Sequence, residues 1–279
     1  MPELPEVETM VRGVRYMLEG ATITEARLSH TDILRGVSKP RLLQALTGAF
    51  VDRVTRRAKH GVLHLRLADG ARRWFVLQPG MTGNLLVYEG SLTAAEEKYA
   101  VLKARLDRGG QFVFRDIRRI GTLLLLDEKG WTRYHEALGP EPLDPALTVE
   151  QFIAQLRPYR AAIKKVLMDQ KRIVGVGNIY ANEALFFAGI DPSKPAYKVP
   201  EDAYRRLYHE VRRILQAAID AEGTTFRDYR TGTGEPGNFQ LELQVYERQG
   251  EPCRACGTRL AATHDIDARI TVFCHRCQR

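Results

Sequence analysis

All four cysteines of this 279-residue chain lie near its C-terminal end, as "CRAC" at 253–256 and "CHRC" at 274–277, with 17 residues between the pairs. No other feature restricts the fold as tightly. A segment this short cannot bury enough apolar surface to fold unaided. Two CxxC knuckles at this separation match a tetrahedral four-thiolate zinc site. Cys253, Cys256, Cys274 and Cys277 are therefore the expected ligands of one structural zinc ion, whose binding energy folds the unit. Two disulfides are the alternative, and a reducing cytosol disfavours them. Four protein ligands leave no open coordination position, so the metal is not expected to perform catalysis.

The rest of the chain is long enough for two cored domains, and 44% hydrophobic residues with only 13 prolines indicate a folded protein. Its longest apolar runs, such as "GTLLLLDEKG", are too short to span a bilayer. The N-terminus lacks a basic segment leading into an apolar stretch, so a cytoplasmic location is expected. Net charge is +8, from 42 Lys and Arg against 34 Asp and Glu. Basic residues recur in "RVTRRAKH", "FRDIRRIG" and "YHEVRRIL". A basic folded surface favours a polyanion, most often nucleic acid; a ribosomal or acidic-membrane surface stays open from charge alone.

Periodicity gives an α+β order. Val7, Val11, Val14 and Leu18 fall at helical spacing and predict a helix over 5–19. Glu8 pairs with Arg12 on its polar face, whereas Glu6 lies on the line of Met10, Gly13 and Met17, beside the apolar stripe. A carboxylate tucked toward a core needs partners. Alternation in "ATITEARL", in "GVLHLRLADGARRWFVL" around an Asp69-Gly70 turn, in "DRGGQFVFRD" and in "RIGTLLLL" predicts strands. Residues 1–136 read as one helix plus a β-rich body, and the proline-rich 137–147 as a linker. Helices are expected at about 148–156, 161–169, 178–188 and 200–222. A helical domain spans 148–246 with a glycine-rich polar loop at 223–238, and the cysteine unit occupies 247–279.

Two short stretches raise chemistry. In "MPELPEVETM", Pro5 and Glu8 suit a helix start, but Pro2 and Glu3 have no such explanation. In "MDQKRIVGVGNIYANEALF", Asn178 is a preferred helix cap whose following amides can bind phosphate. A plain helical hairpin reads equally well from spacing; the neighbours Lys164, Lys165, Lys171 and Arg172 favour a DNA backbone.

Together these segments resemble the formamidopyrimidine-DNA glycosylases, bacterial base-excision enzymes for oxidised purines. The resemblance is carried by "PELPEVET" (2–9), "RRAK" (56–59), "GMTG" (80–83), "LGPEPL" (138–143), "GVGNIYANEALF" (175–186), "ELQVY" (242–246) and the "EPCRACG…FCHRC" ribbon, in that order along the whole chain. It implies an N-terminal helix with a β-sandwich domain, then a C-terminal helical (helix-two-turn-helix) domain carrying a zinc ribbon, acting as a monomer on double-stranded DNA with a damaged base. After methionine removal, the Pro2 amine would attack the anomeric carbon of the damaged nucleotide. A terminal amine titrates near ~8, so a useful fraction is unprotonated at neutral pH. Glu3 would serve as the acid–base group and Glu6 would fix the geometry around Pro2. Lys59 would give a proton to the departing phosphate in β-elimination, and Arg269 would contact phosphate during δ-elimination. Without the resemblance, Lys59 and Arg269 read as surface charge.

Extruding a base costs roughly a few kcal/mol. The resemblance assigns the vacated space to Met81, Arg118 and Ile120, although a lone methionine is more often core. Ile120 stands where the family usually has phenylalanine, Ile117 where it has proline, Gln78 and Tyr99 where it often has histidine, and Asn238 where an aromatic is typical. Tyr99 and Arg160 are expected phosphate ligands, and loop 223–238 is expected to close over the flipped base. Two alternatives accompany this reading: an endonuclease VIII-like preference for oxidised pyrimidines, and a non-catalytic zinc-ribbon DNA-binding protein.

Overall fold

The computed structural model describes residues 2–224, 231–232, 234–235 and 237–279. The chain forms two compact units: Met1–Glu136 with Ala221–Asn238, and Ala137–Asp220 with Phe239–Arg279.

In the first unit the expected helix is α1 (Leu4–Leu18), and its stripe Val7, Met10, Val11, Val14 and Leu18 is fully buried. Nine strands follow among the described residues: β1 (Ile23–Leu28), β2 (Leu34–Arg35), β3 (Phe50–Arg57), β4 (His60–Arg66), β5 (Arg72–Gln78), β6 (Gly83–Tyr88), β7 (Ala100–Leu106), β8 (Gln111–Asp116) and β9 (Thr122–Leu126). They make a four-stranded sheet, β1-β7-β8-β6, and a five-stranded sheet, β2-β9-β5-β4-β3. Val54, Leu63 and Phe75 of one sheet and Leu85, Leu102 and Phe114 of the other share one core with α1. Asp69-Gly70 makes the β4–β5 turn: Gly70 adopts φ +82° and the Asp69 carboxylate accepts the Ala71 amide at 2.9 Å.

One helix is not the whole helical content of this unit. Helices α2 (Lys39–Leu46), α3 (Ala94–Glu97) and α4 (Glu128–Glu136) join it. α4 has no buried residue, so it lacks the apolar stripe that announces a helix. It is held instead by Trp131, stacked on Trp74 of β5 with the rings 6.0 Å apart and 2° from parallel.

The described part of 221–238 belongs to this unit rather than to the helical domain. Asn238 N–H donates to Ala221 O at 3.0 Å and closes its base. Gly232 lies directly on Gly13 of α1, where an added Cβ on Gly13 would meet the Gly232 Cα at 2.7 Å. Residues 225–230, Thr233 and Pro236, which carry much of the expected base-capping loop, lie outside the described residues.

The second unit contains α5 (Val149–Leu156), α6 (Ile163–Leu167), α7 (Asn178–Ala188) and α8 (Glu201–Asp220), then a ribbon of β10 (Ala261–Thr263) and β11 (Thr271–Phe273). The helix expected over 161–169 is shorter, because Ala161 and Ala162 pair with the 194–196 backbone instead. The proline-rich 137–147 is packed, not free: Gly139 N–H donates to Gln170 O, Val174 N–H to Pro140 O, and Arg212 Nη1 to Pro142 O. Phe186 of α7 packs into the small ribbon core with Leu260 and Val272.

Gly13→Ala is expected to destabilise the protein. The gain in helix propensity is at most ~1 kcal/mol, whereas forcing a methyl into backbone contact costs ~1–3 kcal/mol. Thermal melts should show a midpoint several degrees lower, and an unchanged midpoint would show that Gly232 does not dock on α1.

Candidate functional site

Every candidate residue of the N-terminal motif is buried at the start of α1. Glu3 and Glu6 are 2% and 1% exposed, and Pro2 is buried beside them. Glu6 finds the partners its burial demands. One carboxylate oxygen accepts the Glu3 amide at 2.8 Å and the other accepts the Thr224 amide at 2.8 Å. Charge-assisted bonds of this kind are about twice as strong as neutral ones. They fix the backbone that carries Pro2, so Glu6 holds the terminus through its neighbour's amide.

Lys59 sits in the two-residue turn between β3 and β4, where Arg57 pairs with His60. The preceding Ala58 is buried and adopts φ +55°, a left-handed conformation that costs a non-glycine residue about 1–2 kcal/mol. Arg56 donates from Nη1 to the Ala58 carbonyl at 2.9 Å and from Nε to Glu8 at 3.0 Å; Glu8 also binds Arg12 at 2.8 Å. Glu8 thus does more than pair along its own helix: it ties α1 to the Lys59 turn. Burial opposes its charge, yet Arg56 and Arg12 outweigh that and hold its carboxyl below the ordinary value. His60, 9% exposed, places Nδ1 2.6 Å from the Tyr134 hydroxyl of α4. Burial, then the charges of Lys59, Arg57 and Arg56, push its imidazole down to about 4. His60 and Tyr134 carried no sequence signal.

Met81, Arg118 and Ile120 come together on two adjoining turns. Gly80 adopts φ +63°, and an added Cβ would meet the Ile120 backbone at 2.9 Å. Arg118 Nη1 lies 3.4 Å from the Met81 sulfur. Buried Asp116 holds both turns, accepting the Thr82 hydroxyl at 2.5 Å and the Gly121 amide at 2.8 Å, while Thr82 Oγ1 accepts the Arg118 amide at 3.0 Å. Met81 and Ile120 are 43% and 44% exposed, so Met81 is not core. Tyr99 is half-buried beneath Lys98 and Arg115, whose charges lie 5.3 and 5.4 Å from its ring centre. Gln78 accepts the Thr122 hydroxyl at 2.9 Å.

In the second unit two assignments change. Gly177, not Asn178, caps α7, and the Asn178 amide donates to Ile270 O of the ribbon at 3.1 Å. Lys164 is fully buried and cannot meet a phosphate. Its ammonium donates to Thr271 Oγ1 at 2.7 Å and to Ile270 O at 3.2 Å, with Asp267 at 3.7 Å. Asn182 accepts the Val272 amide at 2.8 Å. These three side chains seat the β10–β11 turn, from which Arg269 projects, exposed. Arg160, after α5, is also exposed. Glu183, whose role the sequence left unread, accepts the amides of Gln244, Val245 and Tyr246 at 2.8–2.9 Å and anchors "ELQVY" to α7.

The four cysteines are free thiols whose sulfurs all lie within 4.8 Å of one another. Cys253 to Cys277 is 3.9 Å and Cys256 to Cys274 is 3.5 Å. A tetrahedral zinc with bonds of about 2.3 Å separates its sulfurs by about 3.8 Å, so the set fits that ion.

Residues 1–123 match the formamidopyrimidine-DNA glycosylase N-terminal domain, and 138–230 its H2TH domain. The chain is 42% identical over 279 residues to the formamidopyrimidine-DNA glycosylase of Xanthomonas campestris pv. campestris (strain B100), covering 100% of both chains. The chain belongs to the formamidopyrimidine-DNA glycosylase family. A second member, from Thermomicrobium roseum, is 40% identical over 291 residues, with 100% of this chain and 99% of that one covered. The wild-type Lactococcus lactis Fpg in complex with DNA containing N7-benzyl-Fapy-dG superposes with a TM-score of 0.89 at 30% identity, over 100% of both chains. Among the described residues no helix is long and apolar enough to cross a membrane.

Two outcomes follow from the charges and thiols. His60 is neutral when folded but protonates near 6.5 when unfolded. Its contribution is therefore complete above pH 6.5 and is lost as pH falls toward 4, by roughly 3 kcal/mol. Denaturant melts between pH 7 and 4 should show that loss, and His60→Asn should flatten it. Cys274→Ser should abolish bound zinc and release amide protection at Thr271–Phe273; retention of both would refute the four-thiolate site.

Proposed function

We propose that this chain is a bifunctional DNA glycosylase and AP lyase that removes oxidised purines, 8-oxoguanine and formamidopyrimidines, from duplex DNA. The buried α1 terminus carries the reading: Pro2 next to Glu3, with Glu6 gripping the intervening backbone. Family membership over the full length, and the N7-benzyl-Fapy-dG-containing DNA held by the Lactococcus lactis relative, support the substrate class.

With Met1 removed, the secondary amine of Pro2 attacks C1′ of the damaged nucleotide. The glycosidic bond breaks, Glu3 handles the proton at the sugar, and the opened sugar remains joined to Pro2 as an iminium. The iminium acidifies the C2′ proton; its loss expels the 3′ phosphate, to which Lys59 supplies a proton. A second elimination expels the 5′ phosphate, with Arg269 as its anion partner. Met81, Arg118 and Ile120 occupy the space that the extruded nucleotide leaves. Tyr99, Arg160 and the α7 start at Asn178 are the proposed backbone contacts. Cys253, Cys256, Cys274 and Cys277 would hold one zinc, which supplies folding energy to the Arg269-bearing unit. The protein acts as a monomer in the cytoplasm.

Borohydride reduction during reaction with an 8-oxoguanine duplex should trap a covalent protein–DNA adduct. Pro2→Gly with a correctly processed terminus, or Glu3→Gln, should lower its yield by at least a hundredfold. A wild-type protein that binds the duplex without forming an adduct would instead be a DNA-binding protein. A parallel duplex with an oxidised pyrimidine separates the two lesion classes, and faster excision there would reverse the purine assignment.

A further inference from the structure

The two residues flanking the Ala58-Lys59 turn are both held by α4, a helix with no part in the assignments above. Tyr134 OH lies 2.6 Å from His60 Nδ1, and the His135 carbonyl accepts Arg57 Nη2 at 3.2 Å. Arg57 and His60 are the last paired residues of the β3–β4 hairpin, so these bonds act at its very tip. The tip needs them. A left-handed alanine persists only where its surroundings over-determine it, and Ala58 is such a residue. Arg56 steadies the turn from the α1 side by binding the Ala58 carbonyl. On the other side, His60 is buried among the charges of Arg56, Arg57 and Lys59, and a neutral imidazole can accept the Tyr134 hydrogen at Nδ1. Burial raises the Tyr134 phenol above its ordinary value, so it remains a donor. α4 is itself anchored by the Trp131–Trp74 and Trp131–Tyr134 stacks.

We infer that Tyr134, through its hydrogen bond to His60, is a positioning residue for Lys59 in the strand-cleavage step. Neither side chain is assigned to touch the DNA. The bond holds the turn that aims the Lys59 ammonium, and a proton donor displaced by ~1 Å can lose roughly a hundredfold in rate. The effect falls on elimination, because attack by Pro2 depends on the α1 terminus. The inference rests on the Lys59 role proposed above.

The test compares single-turnover rates on two duplexes, one with 8-oxoguanine and one with a preformed abasic site. Tyr134→Phe should slow cleavage of the abasic strand about tenfold, while its binding of that duplex stays within about twofold and borohydride trapping proceeds at the wild-type rate. His60→Asn, whose amide reaches the Nδ1 position, should keep cleavage within about threefold of wild type. His60→Gln, whose amide reaches the Nε2 position instead, should match Tyr134→Phe. Tyr134→Phe cleaving as fast as wild type would overturn the inference. So would a parallel fall in trapping and cleavage that tracks a lowered melting temperature, the mark of a merely structural role. Lys59→Ala is the separate control: normal cleavage by that variant would overturn the Lys59 role, and the inference with it.

Discussion

A buried carboxylate that must be satisfied by backbone amides organises the N-terminal unit. Glu6 cannot stay charged in a core without donors; the amide of Glu3 in its own helix cap is one, and the amide of Thr224, 218 residues away in sequence, is another. The backbone beside the terminal proline and the backbone at Thr224 are therefore held by the same carboxylate. The Gly13–Gly232 contact, two turns further along the helix, adds a second point of attachment where only backbone fits. A helix that begins next to the proposed nucleophile is thereby held at its very first turn, where isolated helices fray most readily.

The second unit uses the opposite charge in the same way. Lys164 gives up its hydration to hold Ile270, Thr271 and Asp267, and it does so at the turn that presents Arg269. A buried ammonium is justified when its donors are satisfied and its removal leaves neighbours unpaired. Asn178 and Asn182 extend the attachment along α7. The ribbon is thus positioned by α6 and α7.

Much of this was legible in the residues. The stripe Val7, Val11, Val14, Leu18 specified α1, Asp69-Gly70 specified its hairpin turn, and the misplaced polarity of Glu6 marked a carboxylate with a task. Other parts were hidden for physical reasons. α4 is held by flat aromatic stacking rather than by a buried stripe, so periodicity passes over it. Lys164 was counted with its basic neighbours because a charge tally cannot separate a buried ammonium from an exposed one. Glu8 looked complete with Arg12 four residues on, and its second partner, Arg56, is adjacent only after β3 folds against α1. Asn178 carries the side chain of a cap but stands one residue inside the helix, where its amide is free to reach the ribbon.

Two departures from the family pattern, Ile117 and Ile120, fall where the fold has least to say about them. Asp116 and Thr82 hold the turns of Met81 and Arg118 through backbone amides and a hydroxyl, none of which depends on the side chain at 120. Ile117 and Ile120 point outward, so exchanging a ring for a branched aliphatic chain there leaves the core untouched. What changes is the proposed wedge. An aliphatic side chain can unstack a base step by filling volume, but it has no π-face on which the neighbouring bases can restack. In the proposed role, Arg118 would face the base left opposite the gap. Under the proposed function, variation at this tip would act on how damage is found and which partner base is tolerated, while the α1 terminus and the braced Lys59 turn retain the residues to which the chemistry is assigned.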